Sequence, residues 1–275
     1  MRELRTCPVT GRGVLLNDGW VDLPPPVPAP TERCWYCAYA GPVIAHVDTV
    51  RVVPHPVPAL GIEGDPRPTV VAGGVRRQAV GAHELLFAQG HAPVGEAVLL
   101  AVLAARWTDL QGDQRLRGFG ATRRDAPGAH AVWQLFAVPT ELPPSLPAGW
   151  RDAERAHGER ILEDAGATTL LAWAPRVPFE TWVLPAHGIA RFSRTDPELV
   201  AAVGAAVDRV RERLSLALRH APIDLVLVDG EPWRIELLPR LAGPAPVEVA
   251  TGLPIHGVFP EAAAEYLRDG RRATR

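Results

Sequence analysis

The sequence has few cysteines, no long apolar run and no excess of positive charge, and each absence excludes a class of protein. Its 275 residues carry a formal net charge of -2 and show no basic stripe, which argues against a nucleic-acid partner. The longest aliphatic stretch, VGEAVLLAVLAARW, is too short and too soon interrupted to span a bilayer. The stretch MRELRTCPVTGRG contains no apolar core of a secretion signal. We therefore expect a cytoplasmic protein with no membrane partner.

What the sequence does contain is typical of a globular α+β protein. Apolar residues make up 47% and charged residues 22% of the chain, and its length suits one large domain or two modest ones. Residues 23–30, LPPPVPAP, are predicted to form an extended arm, because proline fixes φ and lacks an amide donor.

Strand-like and helical patterns alternate along the chain. Strand-like runs and a helix are followed by a proline-rich break near residue 145, and then by helices and further strands. The best-defined helix is predicted from Leu199 to Leu218, with Thr195 and Glu198 at capping-box spacing. The order predicts an N-terminal unit of residues 1–145 and a C-terminal unit of residues 146–275, although no repeated sequence relates them.

Two of the three cysteines have the spacing of a metal site. Cys34 and Cys37 are separated by two residues, as in zinc knuckles, and a tetrahedral ion needs two further ligands. The most plausible imidazoles are those of His83, in the run HELLF, and His130. The alternative is a pair of reduced cysteines in the core, where this residue is common.

A series of short motifs carries a family resemblance. In chain order, LRTCPVTGRGVLL, RCWYC, VVPHPVPAL, GAHELLF, GAT and HAVWQ resemble motifs of galactose-1-phosphate uridylyltransferases and related nucleotide-sugar phosphorylases. The segments PFETWVLP, WRIELLPRL and PEAAAEYLR resemble the C-terminal unit of that family. The resemblance implies a tandem pair of histidine-triad-like units, each an antiparallel sheet with packed helices. It also implies one zinc ion, with the ligands Cys34, Cys37, His83 and His130.

The active-site motif of the family is altered in this chain. In HPHxQ the first histidine binds the metal, the second attacks the α-phosphorus and the glutamine supports the phosphate. The matching residues are His130, Val132 and Gln134. Valine has no lone pair, so the covalent nucleotidyl intermediate is excluded at this position, and the catalytic residue is unknown. The substrate-binding residues implied by the resemblance are Thr122 of GAT, Val132, Gln134 and His55, which replaces an asparagine of the family.

Other features leave alternatives open. The interval RRDAPGA between GAT and His130 is longer than usual, and places Arg123 and Arg124 either near a phosphate or at a solvated loop tip. The candidates for a replacement nucleophile are His55, His187 and His256, each with a structural or surface role as the alternative.

Two functions of different classes fit these observations. The first is a zinc protein that acts on a nucleotide, a sugar phosphate or a related small molecule without the covalent histidine intermediate. The second is a catalytically inactive small-molecule-binding or scaffold protein of the same fold. In both, Val132 is expected on the strand face of His130 and Gln134, in a cleft between the zinc and a GAT turn. Association into a homodimer is left open.

Overall fold

The computed structural model describes residues 2–6, 13–17, 34–71, 74–125, 129–140, 146–147, 149–188 and 191–269. The predicted extended arm, residues 23–30, lies outside this part of the chain, as does residue 145, where two units were predicted to meet. Within the described ranges, no helix combines the length and the apolar character needed to cross a membrane.

The N-terminal half contributes nine strands and one helix to the described structure. The strands are β1 (Arg2–Thr6), β2 (Gly13–Asn17), β3 (Ala45–Val47), β4 (Val50–Pro54), β5 (Thr69–Val71), β6 (Gly74–Gln78), β7 (Ala82–Ala88), β8 (Gly118–Asp125) and β9 (Val132–Val138). Helix α1 (Glu96–Leu110) connects β7 to β8.

The C-terminal half alternates helices and strands. Its elements are α2 (Trp150–His157), β10 (Ile161–Ala165), β11 (Ala167–Leu171), β12 (Thr181–Pro185), a short 3-10 helix (Phe192–Arg194), α3 (Pro197–Ala217), β13 (Ile223–Val228), β14 (Arg234–Pro239), α4 (Pro246–Thr251) and α5 (Pro260–Asp269). Helix α3 begins where Asp196 accepts a hydrogen bond from the Glu198 amide at 2.8 Å, one residue after the predicted cap at Thr195.

The strands of both halves form one large antiparallel sheet, which confirms the predicted α+β class. In the described residues its order is β10-β11-β12-β14-β13-β8-β9-β7-β4-β3, and a separate sheet has the order β2-β1-β6-β5. The two halves meet at β8 and β13, which pair in register over six residues. The large sheet is therefore continuous from one half to the other.

The two faces of this sheet differ in chemistry because side chains alternate along each strand. In β9, Trp133, Leu135 and Ala137 are buried in the main core with apolar residues of α1 and α3, whereas Val132 and Gln134 are half-buried. We call the face opposite α1 and α3 the open face. It carries the residues that the sequence pointed to as a site.

Candidate functional site

Four potential metal ligands meet at one end of the pair β7–β9. One ligand atom from each of Cys34, Cys37, His91 and His130 lies within 4.8 Å of all the others. The Sγ atoms of Cys34 and Cys37 are 3.5 and 3.8 Å from Nδ1 of His130. His91 follows β7 and His130 precedes β9, so the antiparallel pairing of these strands brings the two histidines together.

The donor set of this cluster fits a metal ion. Two thiols and two imidazoles are the set that tetrahedral zinc sites use. Nε2 of His130 donates a hydrogen bond to the carbonyl oxygen of Ala88 at 2.6 Å, which leaves Nδ1 as the acceptor that faces the cysteines. Burial, which is the largest cause, lowers the pKa of His130 and favours the neutral form that binds metals.

His83, predicted as the fourth ligand, lies elsewhere. Its ring is stacked between His55 and Phe136, with ring centroids 3.9 and 4.3 Å away. In the antiparallel register His83 is opposite Phe136, at the far end of β7 from the cluster. At ~3.3 Å per residue, the length of the strand keeps His83 away from His130.

The environment of His83 keeps the ring neutral. The amide of Ala59 donates to Nδ1 at 3.1 Å, so Nε2 carries the proton and points to Oε1 of Gln134 at 3.4 Å. Burial and the neighbouring His55 lower the pKa of His83 to about 3. His83 therefore lies on the open face with Gln134 and outside the cluster of Cys34, Cys37, His91 and His130.

His91 is the ligand candidate that the motif comparison missed. The signal was present in the topology: in an antiparallel pair, the segment that follows β7 lies next to the segment that precedes β9. The sequence QGHAP places His91 at that point.

The predicted substrate residues lie in rows across the open face. One row contains Leu85, Gln134, Thr122 and Val226, which are register partners on β7, β9, β8 and β13. Thr122 is thus a strand residue, and the expected turn at GAT is instead the middle of β8. The hydroxyl of Thr122 and the amide of Gln134 are neighbours on this face.

Val132 belongs to an apolar patch on the same face as Gln134. It packs against a small cluster of the buried residues Val53, Leu85 and Phe87, together with Tyr36 and Tyr39. Its half-buried side chain shares the face of Gln134, whose neighbour across the pair is Leu85. The side chain of Val132 is therefore part of an aliphatic and aromatic patch on the open face, two residues after His130 of the Cys/His cluster.

Arg123 lies on the opposite face of β8 and cannot reach a ligand on the open face. Its side chain is buried and forms a hydrogen-bonded ion pair with Glu96 of α1, and a second with Asp125 at 3.0 Å. Trp133 also donates to Glu96 at 2.5 Å. Burial, the largest cause, raises the pKa of Glu96. Neither alternative for Arg123, a phosphate contact or a solvated tip, agrees with this position.

The other candidate histidines lie away from Val132. His187 follows β12, which is separated from β9 by β14, β13 and β8. His256 follows α4, and its Nε2 donates to the carbonyl oxygen of Pro175 at 3.1 Å. His55 stacks on His83, which lies at the other end of β7 from the Cys/His cluster. The sheet therefore sets none of these described histidines beside Val132.

Comparison with known proteins identifies the fold. No protein-family model matches the sequence. ADP-glucose phosphorylase of Arabidopsis thaliana is 23% identical over 166 residues, which cover 51% of this chain and 47% of that protein. The match therefore spans about half the length of that curated relative.

Solved structures match over nearly the whole chain. A galactose-1-phosphate uridylyltransferase-like protein from Arabidopsis thaliana superposes with a TM-score of 0.70 and 19% identity, covering 98% of this chain and 99% of the other. A uridylyltransferase structure gives a TM-score of 0.75 at 16% identity and covers 97% of each chain. The fold inferred from the motifs is confirmed: the chain has the fold of uridylyltransferase-like proteins.

Proposed function

We propose that this protein is a divergent relative of the uridylyltransferases that binds a nucleotide, a sugar phosphate or a related small molecule on the open face. It acts on that molecule without a covalent histidine intermediate. The named relatives support the ligand class: one is called an ADP-glucose phosphorylase, and a solved structure of that protein holds ADP-glucose. In this chain the site is the strip of β8 and β9 beside the metal cluster.

The observation that carries the proposal is the position of Val132. Its side chain lies on the face of Gln134 and packs with Leu85 and Phe87. The sequence resemblance matches the pattern H-x-V-x-Q to the family motif HPHxQ, whose second histidine is the nucleophile. An aliphatic group supplies neither a lone pair nor a proton. Chemistry at this place therefore depends on positioning and on hydrogen bonds to the ligand.

Gln134 and Thr122 are the polar groups that this site offers to a phosphate. The contact of Oε1 of Gln134 with His83 turns the carboxamide so that its NH2 group is the end left to donate. The hydroxyl of Thr122 is its register neighbour. Together they provide neutral donors on rigid strands, which is the arrangement that positions an anionic group.

We propose further that Cys34, Cys37, His91 and His130 bind one zinc ion. The ion would supply a fixed positive charge and would tie the segment before β3 to the ends of β7 and β9. His130 would hold its orientation through Ala88, so the start of β9, and with it Val132, would be fixed in place.

The test measures binding and covalent labelling in the same preparation. Isothermal titration with ADP-glucose, UDP-glucose and glucose 1-phosphate is expected to show saturable binding of at least one of them. Intact-mass measurement after incubation is expected to show no added nucleotide. Phosphorus NMR of the same mixture follows turnover of the bound compound.

Gln134→Leu is the matched variant, because it keeps the size of the side chain and removes its donors. We expect weaker binding by about tenfold, as for the loss of a hydrogen bond to a charged group. A nucleotide adduct on the wild-type protein would contradict the absence of a covalent step. Failure of all three compounds to bind would contradict the ligand class.

A second function, binding without catalysis, is favoured by the same valine. A protein that has lost its nucleophile and keeps its metal cluster and sheet suits a sensor or scaffold that recognises the ligand. Saturable binding with no turnover in the NMR measurement would identify this alternative.

A further inference from the structure

A charged trio of Arg124, Asp224 and Arg240 lies on the open face, two residues along β8 from Thr122. Arg124 lies two residues after Thr122 on β8, so both side chains point to the open face, and Thr122 is the register partner of Gln134 on β9. On the other side of β8, Arg124 is the register partner of Asp224 on β13. Neighbouring residues in such a pair lie ~4.5–5.5 Å apart between Cα atoms. The guanidinium of Arg124 therefore extends from β8 toward β13, on the face that also carries Thr122 and Gln134.

Asp224 holds two arginines at once. Nε of Arg124 donates to Oδ1 at 2.7 Å and Nε of Arg240 donates to Oδ2 at 2.6 Å. The carboxylate is almost buried beneath them, whereas the side chains of Arg124 and Arg240 are 45% and 52% exposed. Burial alone would raise the pKa of Asp224, but the hydrogen bonds from both arginines bring it below its ordinary value. The trio thus carries two positive charges and one negative charge.

This geometry orients the two arginines and leaves the trio with one positive charge in excess. A guanidinium has five N–H donors, and the contacts of Arg124 with Asp224 through Nε and Nη2 account for two of them. The carboxylate fixes both planar groups, so less side-chain entropy is lost when a ligand binds. Arg240 also lines a cavity of about 540 Å³, which extends past the end of β14.

We infer that Arg124 and Arg240, held by Asp224, are the phosphate-recognition element of this protein. The inference rests on the proposed ligand class and narrows it to molecules with a phosphate or diphosphate group placed over β8 and β13. The arginines bind the phosphate oxygens, and the valine at position 132 offers no group that reacts with phosphorus. The ligand is then held by charge and is not attacked by the side chain at position 132.

The variants Arg124→Gln and Arg240→Gln test the inference one at a time, because each leaves Asp224 with one partner. The control is Arg209→Gln, whose half-exposed side chain pairs with Glu163 on the other side of the molecule. Titrations use inorganic pyrophosphate, ADP-glucose and the uncharged nucleoside adenosine. Each site variant is expected to bind pyrophosphate and ADP-glucose about tenfold more weakly than the wild type, with the control unchanged. Any binding of adenosine should not change.

The outcomes separate this inference from the proposed function. Binding of pyrophosphate that depends on Arg124, without binding of any nucleotide or sugar phosphate, supports the inference and contradicts the proposed function. Binding of ADP-glucose with wild-type affinity by both variants overturns the inference and leaves the proposed function standing. Arg124→Lys keeps the charge and loses the planar pair of donors, so it is expected to recover part of the lost affinity.

Discussion

At the scale of single residues, two histidines near β7 have different surroundings. His91 lies in the loop after the strand and reaches the two cysteines, whereas His83 lies at its start and is stacked between two rings. Their chemistry is the same in water. The topology alone decides which imidazole meets the thiols.

The first prediction concerns these two histidines. Freshly purified protein is expected to contain about one zinc ion per chain, and His91→Asn and Cys34→Ser should each lower that content to near zero. His83→Asn is the matched control, because it removes an imidazole outside the cluster and should keep the zinc. Elemental analysis of the three variants measures this.

Loss of zinc from His83→Asn and retention by His91→Asn would reverse the assignment. The thermal unfolding temperature of the same samples tests the assignment independently, because the binding free energy of the metal adds to the free energy of folding. The unfolding temperature should fall on addition of a chelator for the wild type and for His83→Asn, but not for His91→Asn.

The residues of the site were predictable to different degrees. Cys34, Cys37 and His130 follow from spacing and motif order, and the structure brings them together. His91 could not be predicted in this way, because no short motif marks it and its proximity to the cysteines depends on strand pairing. Arg124 and Asp224 are 100 residues apart in sequence, and only the register of β8 against β13 reveals their contact.

At the scale of elements, the crossing of α1 and α3 depends on one glycine. A Cβ atom at Gly204 would lie 2.4 Å from the backbone of Ala97, which is closer than any ordinary contact. The backbone amide of Glu96, at the start of α1, also donates a hydrogen bond to the carboxylate of Asp208 on α3 at 2.8 Å. The two helices from different halves are thereby held backbone to backbone on the sheet.

The second prediction is that Gly204→Ala destabilises the protein. Although alanine favours helices, the added methyl group must push α1 and α3 apart, with an expected cost of about 1–3 kcal/mol. Gly257→Ala is the control, since a Cβ atom there would meet nothing within 4 Å. Urea unfolding of both variants measures the difference, and equal midpoints would contradict it.

Element positions were predicted better than element boundaries. Helix α3 was expected over residues 199–218 and is found at Pro197–Ala217, because Asp196 and not Thr195 provides the capping oxygen. The segment around GAT was expected as a turn and is a strand. The first three residues of RRDAPGA continue β8 as far as Asp125, so GAT lies in the middle of the strand. Local sequence does not show where a strand stops when its partner β13 is a hundred residues away.

At the scale of the whole molecule, the halves share one sheet and one main core. β8 of the first half pairs with β13 of the second, and the main apolar cluster includes residues of both α1 and α3. The division into an N-terminal unit of residues 1–145 and a C-terminal unit of residues 146–275 remains a prediction. The free energy of folding is common to both halves.

The third prediction follows from this shared core. Heating should unfold residues 1–145 and 146–275 in one cooperative transition, with equal calorimetric and van 't Hoff enthalpies. Two separate heat-capacity peaks in scanning calorimetry would show instead that each unit is stable by itself. Arg123→Leu, which leaves the buried carboxylate of Glu96 without its cation, should lower the temperature of that single peak.

The two outer strands of the large sheet limit how copies of this chain can join. At one edge, β3 is three residues long and turns at once into β4 through Asp48, which has a φ of 51°. At the other edge, β10 has an irregular register between Ile161 and Glu163, and Glu163 accepts hydrogen bonds from Arg209 and Arg213 of α3. A short strand and a kinked, charged strand are poor templates for the main chain of a second molecule. Self-association through this sheet must therefore use side-chain surfaces, and a continuous intermolecular ribbon is disfavoured.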